Sequence, residues 1–272
     1  MWAFIVISTA FLIECVSPAL YYIISFVIPV VMTAHCTIST GFPGIGMLCM
    51  TAVSTVLLIG IAMSVCLHRY FSHRAFDTSR IMQFVLGVIA CLAWQGGPLQ
   101  WAHMHIKHHK FCDRPNDPHS VKHGGFWYAF LGWMGNPANY AYTNAKYLAV
   151  DYRLRTADIY AIQKFHMIPP LTLCIFVQHT VGYQEMVFTC VLPMVLCRFI
   201  TLLFNVEFHP IEGDFSKCLA IDNKRILAMV VGESLHSEHH CHPRQAHRGD
   251  LDIPYWLTIF WLEKCHLVWN CR

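Results

Sequence analysis

The sequence predicts an all-α membrane protein, one domain over residues 1–272, with four transmembrane helices and a helical cap gathered on one side of the bilayer. Three observations predict it. Hydrophobic residues make up 56% of the chain and charged residues only 13%, against about 25% charged in soluble domains. Charge is also segregated, since residues 1–67 carry a single charged side chain, Glu14. Finally, histidines gather in three boxes, His68 with His73, His105 with His108 and His109, and His236 with His239 and His240, each at or beyond the end of an apolar stretch.

Taken in order, the first fourteen residues lack the basic start of a secretory signal and are expected to form an interfacial or partial segment. Ala19 to Ala34 and Gly46 to Leu67 then read as spans of nearly bilayer length, joined by the polar stretch HCTISTGFPGI. The second span runs into His68. Ile81 to Trp94 is apolar but too short to cross, so it reads as an in-plane or re-entrant helix. Phe165 to Thr180 and Met186 to Phe208 form a hairpin of spans around VGYQE, and the second ends at His209. Arg69, Arg74 and Arg80, with further cations after His209, place the box-bearing loops in the cytoplasm by the positive-inside rule. No internal repeat is visible.

Composition also excludes. A formal charge of +3 without a basic run interleaved with aromatics does not suggest nucleic-acid binding. Thirteen cysteines, an odd number with no CxxC pair, do not resemble a disulfide framework; they read as small buried hydrophobes facing lipid or a reduced cytoplasm.

The boxes carry the chemistry. Steps of three and four residues return to one helical face, so His105, His108 and His109 converge, as do His236, His239 and His240. His68 and His73 are five apart and diverge on a straight helix, which places one at a helix end and the other past it. Neutral imidazole is the commonest metal ligand. His209 stands apart from the boxes, but Asn205 and Arg198 precede it by four and eleven residues on the same face. Pattern alone leaves two readings of that face: an inward functional row of the kind that marks sites within membranes, or a capping histidine with an arginine snorkelling to the interface. Two metals with five or six positions each need about eight to ten donors, which a histidine-built dinuclear non-haem iron site would take from these residues. Soluble di-iron bundles use carboxylates in ExxH pairs, and only Glu233 before His236 matches that here.

HRYFSH, HIKHHKFCDRPNDPHS, NVEFH and GESLHSEHH resemble, in order and spacing, the histidine boxes of the integral-membrane fatty acyl desaturases of the stearoyl-CoA (delta-9) type. The resemblance extends from about residue 60 to the C-terminus and includes GGFWYAFLGW. It implies a four-span fold with a cytoplasmic helical cap and two iron ions held by His68, His73, His105, His108, His109, His209, His236, His239 and His240. It further implies that Asn205 holds a water on the metal, that Gln95 and Trp101 line the tunnel for a long-chain acyl substrate, that Asp117 orients a ligand imidazole, and that Glu233 is not a ligand. Two electrons, from a b-type cytochrome or a ferredoxin with its reductase, and dioxygen would then remove hydrogen from two adjacent methylenes at the delta-9 position. The membrane would be the endoplasmic reticulum in a eukaryote or the plasma membrane in a bacterium.

Departures from that family pattern bear on the substrate. His103 and Met104 stand where the animal acyl-CoA enzymes carry Arg and Asp, so contacts with coenzyme A do not carry over. WQGGPLQW, PRQAHRG and LTIFWLEKCHLVW are closer to bacterial and plastid relatives, some of which act on lipid-bound chains. GESLH replaces GEGWH, and Phe208 replaces a small residue before His209. His103 lies about 200° round a helix from His105, and His242 about 240° from His236, so both fall off the ligand face. His119, His123, His247 and His266 read as surface or outer groups. Two rival readings remain: a related hydroxylase, separated by an alcohol product, and a metal transporter, whose sites lie nearer the bilayer midplane.

Overall fold

The computed structural model describes residues 17–140, 151–214 and 217–272. The expected segment at residues 1–14 lies outside them.

Helix α1, Pro18–Thr40, starts where the Ser17 hydroxyl accepts from the Leu20 amide and Pro18 supplies its fixed φ. It extends past the expected end at Ala34 through residues that read as a polar loop. Thr33, Thr37 and Thr40 each donate their hydroxyl to the carbonyl four residues back, at 2.8–2.9 Å, which hides the polar group against the helix. Gly41, at φ 85°, ends it.

Helix α2, Ile45–Ser72, is 28 residues long and contains an 18-residue stretch of mean hydropathy 2.2. From Leu58 onward its hydrogen bonds run in the wider π register, and the His73 amide still donates to the His68 carbonyl at 3.2 Å. In that register residues five apart lie one above the other, so His68 and His73 face the same way although a straight α-helix would splay them. The expectation that one of the pair sits just past a helix end holds, since His73 is the residue that caps α2.

Helix α3, Arg80–Cys91, starts at the Ser79 cap and at twelve residues is too short to cross. Helix α4, Pro98–Phe111, carries the second box, and α5 spans Val121–Phe130. Both α3 and α4 pack on the buried second half of α2. Helices α6, Ala157–Lys164, and α7, Ile168–Thr180, meet at a 60° bend. The expected span from Phe165 is thus corrected: Pro169 and Pro170 lack the amides needed to continue a helix from α6, and they start α7 instead. Helix α8, Tyr183–Glu207, is 25 residues long, apolar and two-thirds buried. Among the described residues three helices are long and apolar enough to span a membrane, or four if the bent pair counts as one.

Short helices α9, Ile226–Val231, and α10, His236–Cys241, complete the cap, and α11 runs through Tyr255–Ile259 into Phe260–Lys264. The chain is not wholly α: β1, Asp77–Thr78, pairs antiparallel with β2, Val268–Trp269, tying the C-terminal end beside the end of α2.

The closing of the cap turns on Gly232. It ends α9 at φ 76°, and a Cβ there would lie 2.5 Å from Arg69 Nη2 and 2.9 Å from Asp252 Oδ1. Those two side chains form a fully buried pair at 2.7 Å, and Arg69 also donates to the carbonyls of Gly232 and Ala246. Gly232→Ala is therefore expected to lose at least about 1 kcal/mol from the left-handed backbone alone, with the clash added, and to lower Tm in detergent by several degrees. Gly46→Ala, with open space and ordinary φ, is the control. Equal melting of the two variants would refute this account.

Candidate metal centre

The three boxes and His209 arrive from four places: the end of α2, the last two turns of α4, the end of α8, and α10. Their Nε2 atoms turn inward and form two groups. In the first, His68 Nε2 lies 3.0 Å from His239 Nε2, which lies 3.0 Å from His109 Nε2. His105 Nε2 in turn lies 3.0 Å from His109 Nε2 and 2.9 Å from His73 Nε2. All five donors fall within 4.8 Å of one another. In the second group His236 Nε2 is 3.2 Å from both His209 Nε2 and His240 Nε2, and His108 offers a ring nitrogen within 4.8 Å of those of His209 and His240. Thus the structure brings together every histidine of the expected set. Asn205 lies one turn before His209 and lines the adjoining cavity.

The outer nitrogens show why the inner ones are free. The His108 ring donates from Nδ1 to Asp117 at 3.0 Å and His209 to Asp113 at 3.1 Å, while His68 Nδ1 accepts from Arg248 Nη1 at 3.4 Å and lies 3.0 Å from the Glu233 carboxylate. His236 Nδ1 also faces Glu233, at 3.5 Å. A neutral imidazole has one N–H, so each ring that donates from Nδ1 presents a bare lone pair at Nε2. At His209 that lone pair faces His236 Nε2 at 3.2 Å, a contact that either a proton on His236 or a bound cation makes favourable. Nitrogen donors fixed in this way by carboxylates suit a transition metal. The donor set fits two metal ions, one facing five imidazoles and one facing four.

Burial keeps these rings neutral. It lowers the basicity of His73, His105, His109, His236, His239 and His240 well below the ordinary imidazole value, and the positive charge that neighbouring imidazoles and arginines would set beside a protonated ring lowers it further. Asp117 shows the opposing case. Burial pushes its carboxyl up, but the charge and hydrogen bond of His108 outweigh that and hold it below the usual carboxylate range.

Sequence reasoning passed over three participants. Asp113 holds His209 and also accepts from the Leu219 amide at 2.8 Å. Arg248, buried, pairs with Glu233 between the two groups. Arg69 anchors the cap. The available signal was scarcity: in a chain with so few charges, an acid directly after the second box and an arginine after the third are worth placing. His119 is buried and stacks on His108 with centroids 4.3 Å apart. His242 is exposed, and His103 is not among the converging donors.

The expectation of unlinked cysteines is corrected at one pair. Cys112, just after the second box, is disulfide-bonded to Cys218, 106 residues away. The pair closes over the second group, with Cys218 Sγ 3.3 Å from His240 Nδ1 and Cys112 Sγ 3.8 Å from His209 Nδ1. Spacing gave no hint because the fold alone joins the two loops. Cys36, Cys66, Cys91, Cys190 and Cys197 are free and buried, as expected.

Below the two groups a cavity enters the bundle. His68, His105, His236 and Asn205 stand at its metal end. Gln95 and Trp101 line its middle, where Trp101 Nε1 donates to Gln95 Oε1 at 3.1 Å and Gln95 Nε2 donates to Thr201 at 2.9 Å.

Comparison with known proteins gives the following. A family model described as fatty acid desaturase matches residues 47–257. A hex-5-enoyl-[acyl-carrier protein] acetylenase of Moorena producens is 30% identical, covering 82% of this chain and 78% of that protein. An sn-1 stearoyl-lipid 9-desaturase of Anabaena variabilis is 26% identical over 81% of this chain and 84% of its own. A chloroplastic palmitoyl-monogalactosyldiacylglycerol delta-7 desaturase of Arabidopsis thaliana is 29% identical over 75% of this chain, which spans only 56% of that relative.

Two outcomes test the centre. Replacing any one of the nine converging histidines with Ala is expected to abolish activity and release metal, whereas His242→Ala and His103→Ala keep both. Asn205→Ala should fall between, at a loss of about 10- to 100-fold. Metal content and turnover of each purified variant decide it, and a fully loaded, active His209→Ala protein would refute the grouping. The second outcome concerns pH. Rings whose folded basicity is depressed bind fewer protons folded than unfolded, so stability falls as pH drops below the ordinary imidazole value of about 6.5. Metal-free protein should melt earlier at about pH 5.5 than at about pH 7.5; a flat or rising Tm would show that the rings are not held neutral.

Proposed function

The chain belongs to the fatty acid desaturase family, and from that premise we propose that it introduces a cis double bond at the delta-9 position of a saturated long-chain acyl group. The observation that carries this reading is the junction of the two imidazole groups with a cavity running down into apolar helices. A site that gathers metal-binding nitrogens at the mouth of a greasy channel suits the oxidation of an alkyl chain.

Two iron ions held by the nine histidines, with Asn205 contributing through a water, would supply the activation of dioxygen needed to remove hydrogen from unactivated methylenes. The protein's own share is placement. Trp101 stacks along His105 with centroids 5.0 Å apart, and its bond to Gln95, itself bonded to Thr201, fixes a polar hinge in the otherwise apolar wall. A chain bent at that hinge offers one pair of carbons to the site, which is catalysis by positioning. Asp113, Asp117, Glu233 and Arg248 keep the imidazoles turned inward while the chain enters and leaves.

Electrons would come from a separate donor, a b-type cytochrome or a ferredoxin with its reductase. The histidine-bearing ends of the spans face the cytoplasm in this reading, as the arginines around them indicate. The acyl group is carried by a membrane lipid or by coenzyme A. The first is favoured by His103 and Met104, which place no ion pair where the animal acyl-CoA enzymes have one, and by relatives named for lipid-bound substrates. The acetylenase relative supports a second reading, in which an existing double bond at the same position is taken to a triple bond.

Expression in cells unable to make unsaturated fatty acids, followed by mass spectrometry of lipid-bound and thioester pools, tests these readings together. The expected product is a cis double bond at carbon 9 of sixteen- or eighteen-carbon chains. Double bonds at a constant distance from the methyl end would overturn the regiochemistry, a triple bond would establish the second reading, and an alcohol would make the protein a hydroxylase.

A further inference from the structure

The row of Arg198, Asn205 and His209 leaves Arg198 without a part in the metal centre. Seven residues before Asn205 on α8, it lies about 10 Å further down the helix axis, and its side chain is 2% exposed. It lines the cavity at the end away from the histidines, with Met134 and Tyr140. Arg198 Nη1 donates to the Ser25 hydroxyl of α1 at 2.9 Å, and Nη2 reaches Met134 Sδ at 3.1 Å. On the other side, Trp94 Nε1 donates to the Ser25 carbonyl at 2.7 Å. Arg198, Ser25 and Trp94 thus form one stitched wall across the bundle.

What lies beyond that wall matters. Ser25 and Trp94 also line a second, apolar space between α1, α7 and α8, together with Met32, Leu171 and Met194. Its free volume is about 490 Å³, against about 80 Å³ for the cavity on the metal side. Both spaces are lined mainly by apolar side chains, where a polar headgroup stripped of water would be costly to hold. An acyl chain must then enter methyl end first, with its carrier left outside.

We propose that Arg198, braced by Ser25 and Trp94, is the stop against which the methyl end of the acyl chain comes to rest, and that it sets the longest chain the protein accepts. A methyl group that pushed past the guanidinium would separate a buried charge from its partners, which is costly in an apolar interior. A chain ending short of it leaves those bonds intact. Removing the guanidinium joins the cavity to the larger apolar space and lets the chain run on. This rests on the acyl reading above, and it adds the residue that measures chain length.

The test uses the full-length protein with Arg198→Ala, Arg198→Lys and the milder Ser25→Ala, which removes the hydroxyl brace but leaves the carbonyl that holds Trp94. Two readouts are taken: the chain-length distribution of unsaturated products in cells, and the thermal stabilisation of purified protein by saturated fatty acids of increasing length. For the wild type, stabilisation should rise with length and then level off. Arg198→Ala should move both the plateau and the products to the next longer even-numbered chain or beyond, Ser25→Ala should move them less in the same direction, and Arg198→Lys should stay near the wild type. An unchanged plateau in a folded Arg198→Ala protein overturns the stop, as does a shift to shorter chains. If Arg198→Ala does not fold, Ser25→Ala decides by the same measure. A wild type that shows the plateau and its shift but yields no unsaturated product would refute the desaturase reading while leaving the stop standing. Desaturation without any shift would do the reverse.

Discussion

Imidazoles crowded round two small volumes need at least some of their rings held by the outer side if the lone pairs are to point inward. That constraint shapes the rest of the structure. Asp113 and Asp117 take the Nδ1 protons of His209 and His108, Glu233 lies against the Nδ1 sides of His68 and His236, and to reach those atoms the carboxylates must be buried with the rings. Buried carboxylates in turn need charge or hydrogen-bond partners. Glu233 has Arg248; Asp113 has the Leu219 amide; Asp117 accepts from the amides of Asp113 and His119. Each partner sits on a different loop of the cap. The loops after α4, α8 and α10 are therefore folded over the metal centre by the need to satisfy its outer hydrogen bonds, and a fully buried Arg69–Asp252 pair at 2.7 Å fastens the last of them to α2.

The same constraint explains where the polar atoms of a greasy chain are placed. Within the apolar helices, hydroxyls fold back onto their own backbone, as Thr33, Thr37 and Thr40 do in α1, so that they present little polarity sideways. Ionisable groups concentrate instead at the ends of α2 and α8 and in the cap. Arg198 is the departure. A guanidinium eleven residues inside α8 from His209 is tolerated because it faces the interior of the bundle, with Ser25, Met134 and the ring of Phe26 around it.

Much of this was legible in the sequence for a physical reason. Helical periodicity is local, so steps of three and four in the second and third boxes were enough to place His105, His108, His109, His236, His239 and His240 on converging faces. The row from Asn205 to His209 could be placed on one face in the same way, but its role stayed open between a functional row and a cap. Long apolar runs gave the spans to within several residues. What escaped depends on contacts between distant segments or on backbone detail. The π register of α2, which aligns His68 with His73, leaves no mark in residue spacing. Bonds from threonine hydroxyls to the helix turned an apparent loop into the end of α1, and two prolines moved the start of α7. Asp113, Arg248 and the Cys112–Cys218 link acquire their meaning only when loops more than a hundred residues apart meet over His209 and His68.

A site at the mouth of a narrow cavity has two ways to select a carbon. Counting from the carrier requires that the headgroup stay outside, so the number of methylenes between it and the metal centre is set by the depth of the histidines below the entrance. Counting from the methyl end requires a floor at a fixed depth. Both features are present here, at opposite ends of one cavity: the His68, His105 and His236 rings at the top and the Arg198, Ser25 and Trp94 wall below. They act on different properties of the product. If the headgroup fixes register, the floor limits only how much chain extends past the reaction point, and changing it alters length without moving the double bond. If the floor fixed register, every change there would move the bond as well. The guanidinium is braced from α1 and α5-proximal residues and not from the cap, so the lower end can be altered without disturbing the carboxylates that orient the imidazoles. On the proposed reading, position and length would thus be set by separate parts of the fold.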